Sequence, residues 1–212
     1  MRVLVITPLY VPWIGGLEHF VRQVVLELAG RGHDVTVVTS HQSSTTERDT
    51  VDGVPVLRVP AHHVALTHDA GGVLRVQMDI ARLINEFDPE VVHSHDAGPV
   101  LWLYTRAARR RPRPLVVTLH NVMRMHFDGD IGLLGKLLRM ADAVTAVSQA
   151  VADDTVGFEP SIADRTTVIR NAITPRRSSP APLLADPLTL VCVGRLVVQK
   201  GFDLAIEAVA RL

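Results

Sequence analysis

Three histidines, two glycines and two cations stand where this chain could do chemistry. His93, His95 and Asp96 form an H-x-H-D cluster at the end of one apolar run, and His120 directly follows another, Leu115 to Thr118. An imidazole at a strand end can donate a hydrogen bond to a sugar hydroxyl or to a developing negative charge. H-x-H also occurs at metal sites, but one short loop without a clear fourth ligand makes a poor tetrahedral set, so no metal is expected. His93 and His95 read better as polar lining of a cleft, with plain loop residues as the competing reading. Gly15, Gly16 and Glu18 close the loop that begins at Pro8. Paired glycines let backbone N–H groups approach a phosphate, and a helix N-terminus favours negative charge. A tight turn, with Glu18 complementing the helix dipole, explains them equally well. The pattern is not G-x-G-x-x-G, so a dinucleotide fingerprint is missing. Arg195 and Lys200 lie five residues apart between Gly194 and Gly201. Both can meet a diphosphate, Arg as a fork and Lys as a point charge, and the spacing is not that of a P-loop.

Two further features carry weaker signals. Ser148 stands where a strand turns into a helix, and N-capping accounts for it fully, leaving a ligand role second. Arg106, Arg109, Arg110, Arg111 and Arg113 cluster at a helix end, and Ile131 to Met140 mixes Leu and Ile with Lys136 and Arg139. A basic amphipathic surface of this kind can meet anionic lipid heads, although such runs are more often solvated faces.

The elements that must position these residues follow from periodicity. Val3 to Thr7 is a continuous apolar run, as for a strand buried on both faces. Leu17, Phe20, Val21, Val24, Val25 and Leu28 recur at helical spacing, and Gly30-Arg31-Gly32 ends that helix. Val35 to Thr39 is the second strand, which makes a βαβ unit and a parallel sheet. Strands at Val54–Val59, Glu90–His93, Leu115–Thr118, Ala143–Val147 and Thr167–Ile169 continue the series. Helices are expected over 72–87, Val100–Arg110, 131–140 and from Ser148 onward. The alternation specifies an α/β, Rossmann-like, doubly wound parallel sheet of about 170 residues. Residues 172–187, with Pro175, Pro180, Pro182 and Pro187, read as an interdomain linker. Leu188–Val193 then reads as a fresh strand and Phe202–Leu212 as a helix, the opening βα of a second α/β domain.

Bulk properties exclude several classes. The chain has 212 residues, 22 basic and 22 acidic side chains and 47% apolar residues. Zero formal charge gives no global pull towards nucleic acid. The one cysteine, Cys192, cannot form an intramolecular disulfide and reads as a buried, inert thiol in a strand. The N-terminal apolar stretch is too short for a signal peptide, and no run approaches the roughly 18 apolar residues of a membrane span. A cytoplasmic protein is expected, with peripheral contact at the inner face of an anionic membrane as an option.

Taken together, these motifs resemble glycosyltransferase family 4, the large retaining group with the GT-B fold. The resemblance rests on Gly15-Gly16-Leu17-Glu18, Arg31-Gly32-His33-Asp34-Val35, Val92-His93-Ser94-His95, Thr118-Leu119-His120, Val147-Ser148, Val168-Ile169-Arg170-Asn171, and Gly194-Arg195-Leu196 with Gln199-Lys200-Gly201. They stand in the family's order over nearly the whole chain. The resemblance implies an acceptor-side N-terminal domain over 1–171, a linker over 172–187, and the truncated start of a donor-binding domain over 188–212. It implies that the residues at Arg195 and Lys200 bind the donor diphosphate, that the backbone at Gly15 and Gly16 approaches it from the other wall, and that His120 contacts the donor sugar. Glu18, His93, His95, Ser148 and Asn171 are further contacts to acceptor or donor. The donor would be a UDP- or GDP-linked hexose and the acceptor a lipid, glycan or small molecule, with retention and without an essential metal or a resident cofactor. Two departures stand out. Ala172 follows Asn171 where the family usually has glycine, and the family's E-x7-E stretch belongs beyond residue 212. The competing readings are a non-catalytic acceptor-binding module or half-enzyme that needs a separate donor-domain partner, and an unrelated α/β binding protein such as an epimerase relative or a flavodoxin-like domain.

Overall fold

The computed structural model describes residues 1–67, 69–122, 131–172, 190–194 and 196–211. They fall into two compact units, Met1–Ala172 and Ile173–Leu212. The first is built on eight strands: β1 (Arg2–Thr7), β2 (Asp34–Ser40), β3 (Glu47–Val51), β4 (Val54–Val59), β5 (Val91–Ser94), β6 (Leu115–Leu119), β7 (Ala143–Ala146) and β8 (Thr166–Val168). Their order across the sheet is β3-β4-β2-β1-β5-β6-β7-β8. Every pairing is parallel except β3 with β4. The helices are α1 (Gly16–Gly30), α2 (Ala61–Leu66), α3 (Ala70–Phe87), α4 (Pro99–Ala107), α5 (Ile131–Arg139) and α6 (Gln149–Phe158).

Successive side chains of a strand point to opposite faces, so a central parallel strand must be apolar throughout. On β1, Val3 and Val5 join one buried cluster with Val21 and Val25 of α1 and with Val35 and Val37 of β2. Leu4 and Ile6, between them, join the larger cluster on the other face, with Val76 and Ile80 of α3 and Leu101 of α4. The sheet is thus covered on both sides, as a doubly wound fold requires. Helix α3 starts at Asp69, whose carboxylate accepts from the Gly72 N–H at 2.8 Å. It stops at Asp88 in the left-handed region, just before Pro89.

Several elements differ from the sequence reading. Strand β3, Glu-Arg-Asp-Thr-Val, lacks apolar alternation and was not expected. It is an exposed edge strand whose charged side chains guard the open edge. The turn that folds it onto β4 is Asp52-Gly53, with φ of 52° and 81°, the two positive values that a tight two-residue hairpin turn needs. The six-residue α2 is also additional, and α4 ends at Ala107, short of the expected Arg110.

In the second unit, Leu190–Val193 form no strand, contrary to the expectation for Leu188–Val193. A strand exists only through a partner's hydrogen bonds, and the described residues of this unit supply none. Leu190, Val191 and Val193 are accordingly exposed, and so is Cys192, which corrects the expectation of a buried thiol. Helix α7 (Phe202–Val209) follows a single 3-10 turn at Val198–Lys200. Gly201 between them has a φ of 60°, where a side chain would be strained. The expected linker lies, apart from Ala172, outside the described residues, and so does Arg195.

Candidate functional site

Strand order decides where a site can form. From β1 the chain winds outward through β2 and β4, and from β5 it winds the opposite way through β6, β7 and β8. Adjacent β1 and β5 are therefore the switch point, and the loops leaving their carboxyl ends must diverge and open a crevice. Those loops are Pro8–Gly15 and His95–Gly98. His95 stays attached to the sheet, its backbone N–H donating to the Ile6 carbonyl at 2.7 Å.

Both loops enter helices led by glycine. Gly15 precedes α1 and Gly98 precedes α4, and neither helix has a side-chain cap. The first N–H groups bonded within them belong to His19, donating to Gly15 O at 3.2 Å, and to Trp102, donating to Gly98 O at 3.1 Å. The earlier N–H groups of each first turn point outward. Away from the switch point two helices close differently, although α2, with Pro60 at its cap, has no side-chain cap either. Asp69 caps α3 and Ser148 caps α6, its hydroxyl oxygen accepting from the Val151 N–H at 3.2 Å. Ser148 thus performs the capping role that its position predicts.

The glycines also differ from each other. A Cβ on Gly15 would lie 2.2 Å from the Glu18 Oε2, whereas a Cβ on Gly16 would meet nothing within 4 Å. Glu18 therefore folds back over Gly15 and is only 9% exposed, while the space above Gly16 is open. The loop before them is pinned from the side. Buried Arg58 of β4 donates through Nη2 to the Val11 carbonyl at 2.7 Å and forks onto Asp49 of β3 at 2.9 and 3.0 Å.

The histidines converge beside this opening. His95 Nδ1 and His120 Nε2 lie 3.2 Å apart. His93 Nε2 lies 2.7 Å from the Thr118 hydroxyl, which lies 2.6 Å from the Thr145 hydroxyl. The rings of His93 and His95 are tilted against each other with centroids 4.2 Å apart. Phe20 of α1 meets His95 and His120 edge to face, at 6.0 and 5.4 Å. Burial pushes the pKa of His93 and His120 down to about 4 and that of His95 well below its ordinary value. All three rings are therefore neutral near pH 7 and suited to hydrogen bonding rather than to charge. Burial also raises the pKa of Asp96, opposed by the bond its carboxylate accepts from the Ala97 N–H at 2.7 Å. Among the described residues, no three His, Cys, Asp or Glu side chains are grouped to hold a metal ion.

The structure thus brings Gly15, Gly16, Glu18, His93, His95 and His120 to one end of the sheet. Asn171 is exposed beyond β8. Lys200 is exposed in the second unit, at the end of its 3-10 turn. Arg58, Gly98 and Thr145 were not singled out from sequence, and Phe20 and Thr118 entered only as part of the first helix's apolar stripe and of the Thr118-Leu119-His120 motif. For Gly98 the signal was readable, because glycine followed by proline is a helix-start pattern. The partners Thr118 and Thr145 emerge only from the register of β6 against β7.

The comparisons with known proteins agree with this fold. Residues 14–177 match the model of Glycosyltransferase Family 4. The chain belongs to that family. It is 29% identical to a glycogen synthase of Mycobacterium tuberculosis, over all of this chain and 58% of that protein. It is 28% identical to the phosphatidylinositol N-acetylglucosaminyltransferase gpi3 subunit of Schizosaccharomyces pombe, over 98% of this chain and 47% of that protein. The chain therefore spans about half the length of the curated relatives it matches. Among solved structures, Anabaena HepE in complex with UDP shares the fold at 20% identity and a TM-score of 0.56, over 82% of this chain and 44% of HepE. Family membership makes this a glycosyltransferase lineage and sets aside the unrelated α/β binding protein.

Proposed function

We propose that the chain is the acceptor-side half of a glycosyltransferase that moves a hexose from a UDP- or GDP-linked sugar to a lipid, glycan or small-molecule acceptor, with retention of configuration. Residues 1–171 form the acceptor-side domain, 172–187 the linker and 188–212 the start of the donor-binding domain. The observation that carries this reading is the meeting of the open N-terminus of α1 with the neutral His95–His120 pair at the switch point. Backbone N–H groups at Gly15 and Gly16 receive the donor diphosphate, and Arg195 and Lys200 hold it from the other domain. His120 hydrogen-bonds the donor sugar. Glu18, His93, Ser148 and Asn171 contribute contacts to acceptor or donor. HepE is named as a UDP complex, which supports a nucleotide-sugar donor here.

Titration of UDP and of GDP into the isotope-labelled chain tests this. Binding should move the amides of Gly15, Gly16 and His120, and saturation that leaves all three unmoved overturns the assignment. A departing diphosphate needs preorganised donors from both walls of a dry cleft, and the chain spans about half of its relatives. Sugar transfer by the 212 residues alone should therefore be negligible, and measurable transfer would refute the two-wall reading.

The gpi3 relative is named as a subunit, which supports partner subunits, and the second reading is a non-catalytic acceptor-binding module or half-enzyme that needs a separate donor-domain partner. Co-purification with such a polypeptide distinguishes the two. Peripheral contact at the inner face of an anionic membrane rests on a groove of about 470 Å³ where Arg106, Arg109 and Lys136 lie beside Trp102, Leu137 and Met140. No helix among the described residues is long and apolar enough to cross a membrane.

A further inference from the structure

The contact between His95 and His120 constrains more than orientation. Two neutral imidazoles whose Nδ1 and Nε2 lie 3.2 Å apart hold one proton between those atoms. If His95 Nδ1–H donates, His120 must carry its own proton on Nδ1. If His120 Nε2–H donates instead, His95 must carry its proton on Nε2. That second nitrogen of His95 is buried and has no partner among the described residues, and the residue is 1% exposed. A buried N–H left without an acceptor costs free energy, which favours the proton on His95 Nδ1. The clamp is rigid. Phe20 presses on both rings, and His93 packs against His95.

We propose that His95 is a positioning residue that holds His120 in its Nδ1–H tautomer, so that His120 offers a hydrogen-bond donor, not an acceptor, to the ligand. The consequence for catalysis rests on the reading of His120 as the sugar contact. A donor there can bond a sugar oxygen and cannot take a proton from a hydroxyl. Burial of both rings keeps the pair neutral, and the arrangement needs no ligand to exist.

Long-range 15N–1H correlation spectra of the histidine rings in this chain test the inference directly. The expected result is Nδ1–H for both His95 and His120, whereas an unconstrained histidine in water favours Nε2–H. Asparagine carries its amide nitrogen on Cγ, as histidine carries Nδ1, while glutamine carries it one bond further out. His95→Asn should therefore keep His120 as Nδ1–H, and His95→Gln should invert it to mostly Nε2–H, with thermal unfolding confirming that both variants fold. A His120 found as Nε2–H in the wild-type chain overturns the proposal without any variant. So does a His120 tautomer that neither substitution changes. Failure of the sugar-transfer reading looks different: the tautomers stand as expected, but neither UDP nor GDP moves the His120 amide.

Discussion

Replacing Gly16 with alanine should raise stability and weaken nucleotide binding in the same molecule. Gly16 is the first residue of α1, and a Cβ built there meets nothing within 4 Å. Alanine restricts the unfolded chain more than glycine does and suits a helix better, which is worth about 0.4–1 kcal/mol where the native conformation accepts it. In a domain of this size the gain corresponds to a rise in Tm of about 1–4 °C. On the proposed function, the same methyl group would stand in the open space through which the phosphate approaches the first-turn N–H groups. Losing one bond to a charged group costs about 1.5–3 kcal/mol, so UDP affinity should fall about tenfold or more. Gly15→Ala is the control. Its Cβ would drive the Glu18 carboxylate from its buried seat, and the cap position itself prefers glycine to alanine, so Tm should fall by about 2–4 °C for each kcal/mol lost. Thermal unfolding and UDP titration of the two variants decide the matter. A Gly16→Ala protein that is more stable yet binds UDP as tightly as wild type would show that the phosphate does not approach there. One that is less stable would refute the open geometry itself.

Other consequences can be measured on the same protein. Burial holds His93 and His120 at about 4 against an ordinary 6.5, so the unfolded chain binds more protons than the folded one between those values. Stability should be complete above about pH 6.5 and fall towards pH 4, with a slope of up to about 1.4 kcal/mol per pH unit for each ring. Urea midpoints that coincide at pH 7 and pH 5 would contradict the burial of these rings. Arg58→Lys removes the fork that ties Val11 and Asp49 together. A loss of about 1–2 kcal/mol is expected, with faster amide exchange confined to the first loop; unchanged exchange there would show that the loop holds itself.

Periodicity exposed the central strands because a strand buried on both faces has no polar position to spare. Leu4 and Val5 face opposite cores and are both fully buried. The same argument failed for Leu190–Val193, the described part of the expected Leu188–Val193 strand, since an apolar run becomes a strand only if neighbours bond to it, and sequence does not show the neighbours. Edge strand β3 failed the other way. Its five residues are there because β4 pairs with them, and only Asp52-Gly53 announced it. Positions of the site residues at strand ends were legible, but their pairing was not. His95 and His120 lie 25 residues apart and meet because β5 and β6 pair with His93 opposite Val116.

The described helices differ in how their first turns close, and the difference does not follow the site alone, since α2, with Pro60 at its cap, also has no side-chain cap. A helix that serves only as packing gains by closing its first turn, and a side-chain cap is worth about 1 kcal/mol. Asp69 and Ser148 take that gain for α3 and α6. Gly15 and Gly98 forgo it for α1 and α4, the two helices that follow the strands flanking the switch point. Local packing gives part of the reason, because a Cβ on Gly15 would lie 2.2 Å from the Glu18 carboxylate and one on Gly98 would lie 3.0 Å from the Asp96 carboxylate. On the proposed function, a diphosphate at the first turn of α1 supplies the rest, because it takes up donors that a side chain would otherwise satisfy.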